Sequence, residues 1–293
     1  KSHFFRQSSG GGYNTIIGGV GASINTDVLL AELLQIDINT IEDFAVVDNN
    51  VYCNITSEYD IPSSCFALNQ NITSFIDTEG KVITLFAYCF QQCANLETVY
   101  FPEVKNTQGS TFSSSKALKE IYLPKLQKVS WSDFNTCESI EVLNLPSALT
   151  SENASFRTMR NLREAYLPKM TTISERDAFT DSTYAVSYYL PLLECGDAHT
   201  IFNNNSSLKE LSLPATKQFN TDNLYLCFGL EVLNLPSLEN FGLVSPASND
   251  TLYGFPPNIT INLPIALETT PNTVVREWID LMVSLKNATI NYV

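Results

Sequence analysis

Seven prolines set the plan of this 293-residue chain. Pro102, Pro124, Pro146, Pro168, Pro191, Pro214 and Pro236 lie 22, 22, 22, 23, 23 and 22 residues apart, and Pro264 follows after 28. Self-similarity at such a period predicts a stacked array, in which each unit buries its apolar side only against its neighbours. The residue before each proline is apolar: Phe101, Leu123, Leu145, Leu167, Leu190, Leu213, Leu235 and Leu263. So is the residue three before it: Val99, Ile121, Leu143, Ala165, Tyr188, Leu211, Leu233 and Ile261. This period-two alternation predicts a short, half-buried strand in every unit. Proline ends the strand, because it has no N–H to give to a ladder. Further on, Phe112, Phe134, Phe156, Phe179, Phe202 and Leu224 recur in one phase and would stack inside as a spine. The predicted fold class is a solenoid of short parallel strands at a 22–23-residue period, mostly β with little helix.

The ends of such an array expose unpaired core and need covers. Residues 1–24 hold Ser8-Ser-Gly-Gly-Gly12 and Gly18-Gly-Val-Gly21 and read as a flexible or partner-docked segment. No Lys follows these glycines, so a phosphate loop is a poor reading. Residues 25–60 are expected to form an N-terminal cap. Asn25 or Thr26 would cap a short helix through Gln35, and two β-rich runs around Asp48-Asn49-Asn50 would form a hairpin. The repeat domain is placed at 61–265, its first units degenerate and its last interrupted by an insertion from Gly242 to Pro257. Residues 266–293 are expected to form a C-terminal cap. There, Asn272–Lys286 reads as an amphipathic helix with Val274, Val275, Trp278, Ile279, Leu281, Met282 and Leu285 on its apolar face, and Ala288–Val293 as a final strand.

The net charge is −14, which disfavours nucleic acid and anionic membrane surfaces as partners, since both reward clustered Lys and Arg. No run of 18 apolar residues is present, so no membrane span is expected. Seven cysteines (Cys53, Cys65, Cys89, Cys93, Cys137, Cys195 and Cys227) follow the repeat closely enough to read as buried free thiols. Cys93 and Cys137 lie two units apart, roughly 10 Å at the usual strand spacing, too far for a disulfide. Cys89-x-x-x-Cys93 has no second pair and no nearby His, so no metal and no cofactor are expected. The chain has two histidines, His3 and His199. Asp197 and His199 are close in sequence, but no nucleophile elbow accompanies them. Paired carboxylates for glycoside hydrolysis are the remaining catalytic candidate, and a thin solenoid offers few deep clefts for them. The expectation is a protein that is not an enzyme, with a glycan-processing enzyme as the weakest alternative. Eight Asn-x-Ser/Thr sequons, at Asn54, Asn71, Asn153, Asn204, Asn205, Asn249, Asn258 and Asn287, read as chance in so Asn-rich a chain.

The pattern Leu-x-x-Ile-x-Leu-Pro-x-Leu-x-x-Val, with Phe-x-x-Cys further on, resembles the BspA-type leucine-rich repeat over roughly residues 61–265. Ala178-Phe179, Phe134-Asn-Thr-Cys137 and Phe90-Gln-Gln-Cys93 carry the likeness best. The resemblance implies a leucine-rich-repeat solenoid. It implies a surface or secreted protein that adheres to extracellular proteins or glycans, and it brings no catalytic residues. A virion structural or host-attachment component, docked through its N-terminal segment and displayed on the virion surface, is the alternative.

Recognition must then rest on residues the repeat leaves free. Two before each proline stand Tyr100, Tyr122, Asn144, Tyr166, Tyr189, Ser212, Asn234 and Asn262, which alternation sends to the outer face. The tyrosines Tyr100, Tyr122, Tyr166 and Tyr189, beside Glu120, Glu164 and Glu210, are the predicted ligand-contact strip. The opposing reading is that an aromatic ladder simply stabilises the sheet.

Overall fold

The computed structural model describes residues 44–242, 246 and 252–293. The glycine-rich segment, the helix expected over 25–35, His3 and much of the 242–257 insertion lie outside the described residues. The described chain is a pile of coils whose strands pair in parallel at the period of the prolines. Thr98 pairs with Glu120, Val142 with Glu164 and Glu210 with Val232, each 22 residues on.

The array begins with the expected hairpin. Strand β1 (Phe44–Val47) pairs antiparallel with β2 (Asn50–Cys53). Asp48 and Asn49 between them both have positive φ, 47° and 65°, as a type I′ turn requires. Strand β2 then pairs in parallel with Ser74–Asp77, and the ladder continues through Thr98–Tyr100 to Glu120–Tyr122. A second ladder joins Val142–Asn144, Glu164–Tyr166 and Ser187–Tyr189. A third joins Glu210–Ser212, Val232–Asn234, Thr260–Leu263 and Thr289–Tyr292. One face of the solenoid is thus three ladders end to end.

A second sheet, which the sequence reading did not contain, runs along another side. It comprises Tyr59–Ile61, Val82–Leu85, Asn106–Thr107, Lys128–Val129, Thr150–Ser151 and Thr172–Ile173. It bridges the break between the first two ladders: Lys128 and Val129 pair with Thr150 and Ser151.

The third side is built around the spine. Phe66, Phe90, Phe112, Phe134, Phe156, Phe179 and Phe202 stack with centroids 4.8–6.0 Å apart. All are buried, and Leu224 continues the column. Each phenylalanine is flanked two residues away on both sides by a non-glycine residue in the left-handed region, as Ser132 and Thr136 flank Phe134. That conformation costs an L-residue about 1–2 kcal/mol. Inter-coil hydrogen bonds offset it. The Ser132, Phe134 and Thr136 amides donate to the Asn153, Ser155 and Arg157 carbonyls at 3.0, 2.8 and 2.8 Å. Buried backbone that belongs to no strand is satisfied this way.

The same loop explains the cysteines. Three residues past the spine, Cys93, Cys137 and Cys227 donate from Sγ to the Phe66, Phe112 and Phe202 carbonyls of the preceding coil, at 3.1, 3.1 and 3.0 Å. Ser115 and Asn205 do the same to Phe90 and Phe179. A small side-chain donor is what the position requires. All seven cysteines are buried and none is in a disulfide, and burial pushes the Cys93, Cys195 and Cys227 thiols up to about 12. At ordinary pH these thiols are not nucleophiles.

At the far end, helix Thr273–Lys286 packs on the last coils. Asn272 caps it, its Oδ1 accepting from the Val274 and Val275 amides at 3.1 and 3.3 Å. Asn287 closes it in the left-handed region. The buried stripe is Val275, Trp278, Ile279 and Met282. That is narrower than the sequence reading. Val274 and Leu281 are half-buried and Leu285 is exposed, because these three lie about a quarter-turn to one side of the i, i+3, i+4, i+7 set.

Candidate functional site

The candidate site is the outer face of the strand ladders. Each strand is three or four residues long and sends its middle residue inward. Leu143, Ala165 and Tyr188 are buried and Ile121 is half-buried, so the outer side chains are spared from the core. Tyr122, Tyr166 and Tyr189 are 46–49% exposed, while Tyr100 is half-buried. Burial, then the neighbouring Tyr122 and Asp77, raise the Tyr100 phenol above its ordinary pKa.

In-register pairing brings the rings together in twos. Tyr100 and Tyr122 stack with centroids 4.5 Å apart and planes at 4°. Tyr166 and Tyr189 stack at 5.0 Å and 7°. The expected strip of four stacked rings is therefore two pairs separated by the rung of Asn144, which is exposed. The ladder itself divides beside that rung, between Tyr122 and Asn144. Glu120 and Glu164 are exposed on the same face. Glu120 accepts from the Thr98 hydroxyl at 3.4 Å, and neither carboxylate has an ion pair among the described residues. Glu210 differs: it accepts from the Asn234 amide at 2.7 Å.

The column extends beyond the residues singled out from sequence. On the N-terminal side, Tyr52 pairs with Ile76 and Ile76 with Tyr100. The hairpin's own alternation was the available signal. Tyr100 also walls a shallow open cavity of about 440 Å³, lined by Glu58, Glu79, Lys81 and Glu103 among others. On the C-terminal side the column turns to amides: Asn291 donates to Asn262, and Asn262 to Asn234.

The remaining catalytic candidates are not brought together. His199 Nδ1 lies 2.7 Å from Asp222 Oδ2 at the surface, while Asp197 accepts from Gln218 at 2.6 Å. The neighbouring Thr200 hydroxyl donates to Asp177. His199 is a surface residue, and stacking places Asp222, one coil on, rather than Asp197 against the imidazole. Among the described residues no group of His, Cys, Asp and Glu could hold a metal ion, and no helix is long and apolar enough to cross a membrane. Of the sequons, Asn205 is fully buried, its side chain bonded to the Tyr188 hydroxyl and the Phe179 carbonyl. It cannot carry a glycan in the folded chain.

A leucine-rich repeat protein from Bacteroides ovatus is 19% identical, with 75% of this chain and 62% of that one covered and a TM-score of 0.46. A leucine-rich cell surface protein from Faecalibacterium prausnitzii is 14% identical over 76% of this chain and 80% of that one, with a TM-score of 0.41. The pneumococcal vaccine antigen PcpA is 15% identical over 83% and 78%, with a TM-score of 0.33. No curated protein matches the chain by sequence. The family model for the BspA-type leucine-rich repeat region matches six copies over residues 38–186. With that match spanning just over half of the chain, and the coils continuing in register beyond it to Leu263, the protein belongs to the BspA-type leucine-rich repeat family.

Proposed function

We propose that this protein is a non-enzymatic binding scaffold, displayed outside the cell, that holds a protein or glycan partner on the outer face of its strand ladders. One observation carries the reading: in two stacked tyrosine pairs, Tyr122, Tyr166 and Tyr189 stand exposed where the core needs nothing from them. Tyrosine gives a rigid contact area with a polar tip at little entropic cost. Membership of the family supports surface display, as the resemblance implied. In this reading residues 61–265 are the repeat body, and the hairpin Phe44–Cys53 and the helix Thr273–Lys286 shield its ends.

The test is a panel of glycans and extracellular matrix proteins probed with the wild type and with the Tyr122→Ser/Tyr166→Ser double variant. Binding that the double variant loses while remaining folded supports the scaffold. Binding that survives the double substitution, or a panel with no binder at all, contradicts it.

A further inference from the structure

Within the same face, and resting on the strip as the recognition surface, one rung has a more specific chemistry. Parallel stacking points the outer face of Tyr122 and the near face of Tyr166 into the rung of Asn144. Asn144 is in register with Tyr166, and Tyr122 stands one repeat before it on the adjoining coil, so at the usual strand spacing of about 5 Å a flat group over Asn144 would lie about 5 Å from each ring. That is within the roughly 6 Å over which a cation is attracted to an aromatic face. The floor is the Asn144 side chain, an amide with both donor and acceptor.

Charge selects among flat groups. Glu120 and Glu164 flank the rung, one coil to either side of Val142, and neither is in an ion pair among the described residues. The cations nearby are largely spent: Lys119 is bridged to Glu97 and Lys125 to Glu103, both at 2.6 Å. Glu120, Glu141 and Glu164 then stand against Arg163 and Lys169, on a chain of net charge −14. A guanidinium is planar, always charged, weakly hydrated and able to stack on aromatic faces while donating to carboxylates. We infer that the Tyr122–Asn144–Tyr166 rung is a slot for an arginine side chain presented by a protein partner.

The probe is a blocked tri-arginine peptide, titrated calorimetrically at about 0.15 M salt, where long-range attraction to the net charge is screened. Its control is the tri-citrulline peptide, equal in shape but neutral. The arginine peptide should bind saturably and the citrulline peptide at least about tenfold more weakly. Asn144→Tyr fills the slot with a fifth ring and should cost the arginine peptide at least tenfold in affinity. Glu120→Gln/Glu164→Gln, which alters no packed residue, should do the same without touching the rings. Equal binding of the two peptides, or arginine binding that survives both variants, overturns the slot. If matrix or glycan binding is lost in Tyr122→Ser/Tyr166→Ser while the arginine peptide never binds, the slot falls and the strip stands. If the strip variant changes no binding at all, both fall.

Discussion

The outer column of the ladders is made of two halves with one backbone and opposite chemistry. From Tyr100 to Tyr189 it is aromatic on either side of Asn144, with Tyr122, Tyr166 and Tyr189 about half exposed and Glu120 and Glu164 in no ion pair among the described residues. From Asn234 to Asn291 it is amide, and the side chains are linked to one another: Asn234 donates to Glu210, Asn262 to Asn234, Asn291 to Asn262. The inner residues of both halves are alike, Leu143 and Ala165 in one and Leu211 and Leu233 in the other, all buried. A solenoid therefore settles its stability on the inside and leaves each outer rung free to differ. An amide ladder satisfies its own donors and acceptors and has little left for a ligand. In each pair one ring face is satisfied by stacking, and Tyr122, Tyr166 and Tyr189 remain about half exposed.

The comparison breaks most severely from beneath. Phe134→Ala under the aromatic half and Leu224→Ala under the amide half should each cost about 3–5 kcal/mol in urea unfolding, since both empty a buried spine position. Equal losses would show that the halves share one support. A loss below about 1 kcal/mol at either site would show that the spine is not what joins the coils there.

Binding sharpens it next. Tyr122→Ser/Tyr166→Ser should reduce partner binding by tenfold or more, whereas Asn234→Ala/Asn262→Ala should leave it unchanged. The reverse order of effects would move the recognition surface to the amide half. In stability the order inverts for single changes. Asn262→Ala removes hydrogen bonds to two neighbours and should cost about 1 kcal/mol. Glu164→Gln, on an exposed carboxylate with no ion pair among the described residues, should cost less than about 0.5 kcal/mol.

The smallest effect is a pH dependence peculiar to the aromatic half. Asp133 is fully buried beneath it and accepts from the Thr111 and Ser130 amides at 3.1 and 2.6 Å and from the Thr107 hydroxyl. Burial raises its pKa from 3.8 to about 6, against the pull of those hydrogen bonds. The folded state then holds the proton more tightly than the unfolded one. Its contribution is full below pH 3.8 and is lost as the pH rises through about 6. Melting temperatures of wild type and Asp133→Asn, compared across that window, should show the wild type falling relative to the variant. Parallel curves would place the carboxylate's proton elsewhere.

Most of this frame was legible in the sequence, because prolines and spine phenylalanines recur at positions where only strand ends and core fit. The second sheet was not. Lys128–Val129 and Thr150–Ser151 are two residues long, too short for alternation to show. The left-handed pairs were also hidden. They are carried by Ser, Thr, Asp, Asn, Gln, Leu, Tyr and Ala rather than glycine, and what holds them is a neighbouring coil's carbonyls. At the site, alternation placed Tyr122 and Tyr166 on the outer face. It did not show that Asn144 divides the rings into pairs with a rung between them. That depends on stacking geometry between coils.

The central claim is that the tyrosines are spare to the fold. Urea unfolding of Tyr122→Ser/Tyr166→Ser, measured beside Phe134→Ala, tests it most directly. The account predicts a loss for the double variant of about 1–3 kcal/mol, less than that of the spine variant, since it breaks two pairs and stacked rings contribute about 0.5–1.5 kcal/mol a pair. A loss equal to or greater than that of Phe134→Ala would make the strip a structural ladder and contradict its assignment as a recognition surface.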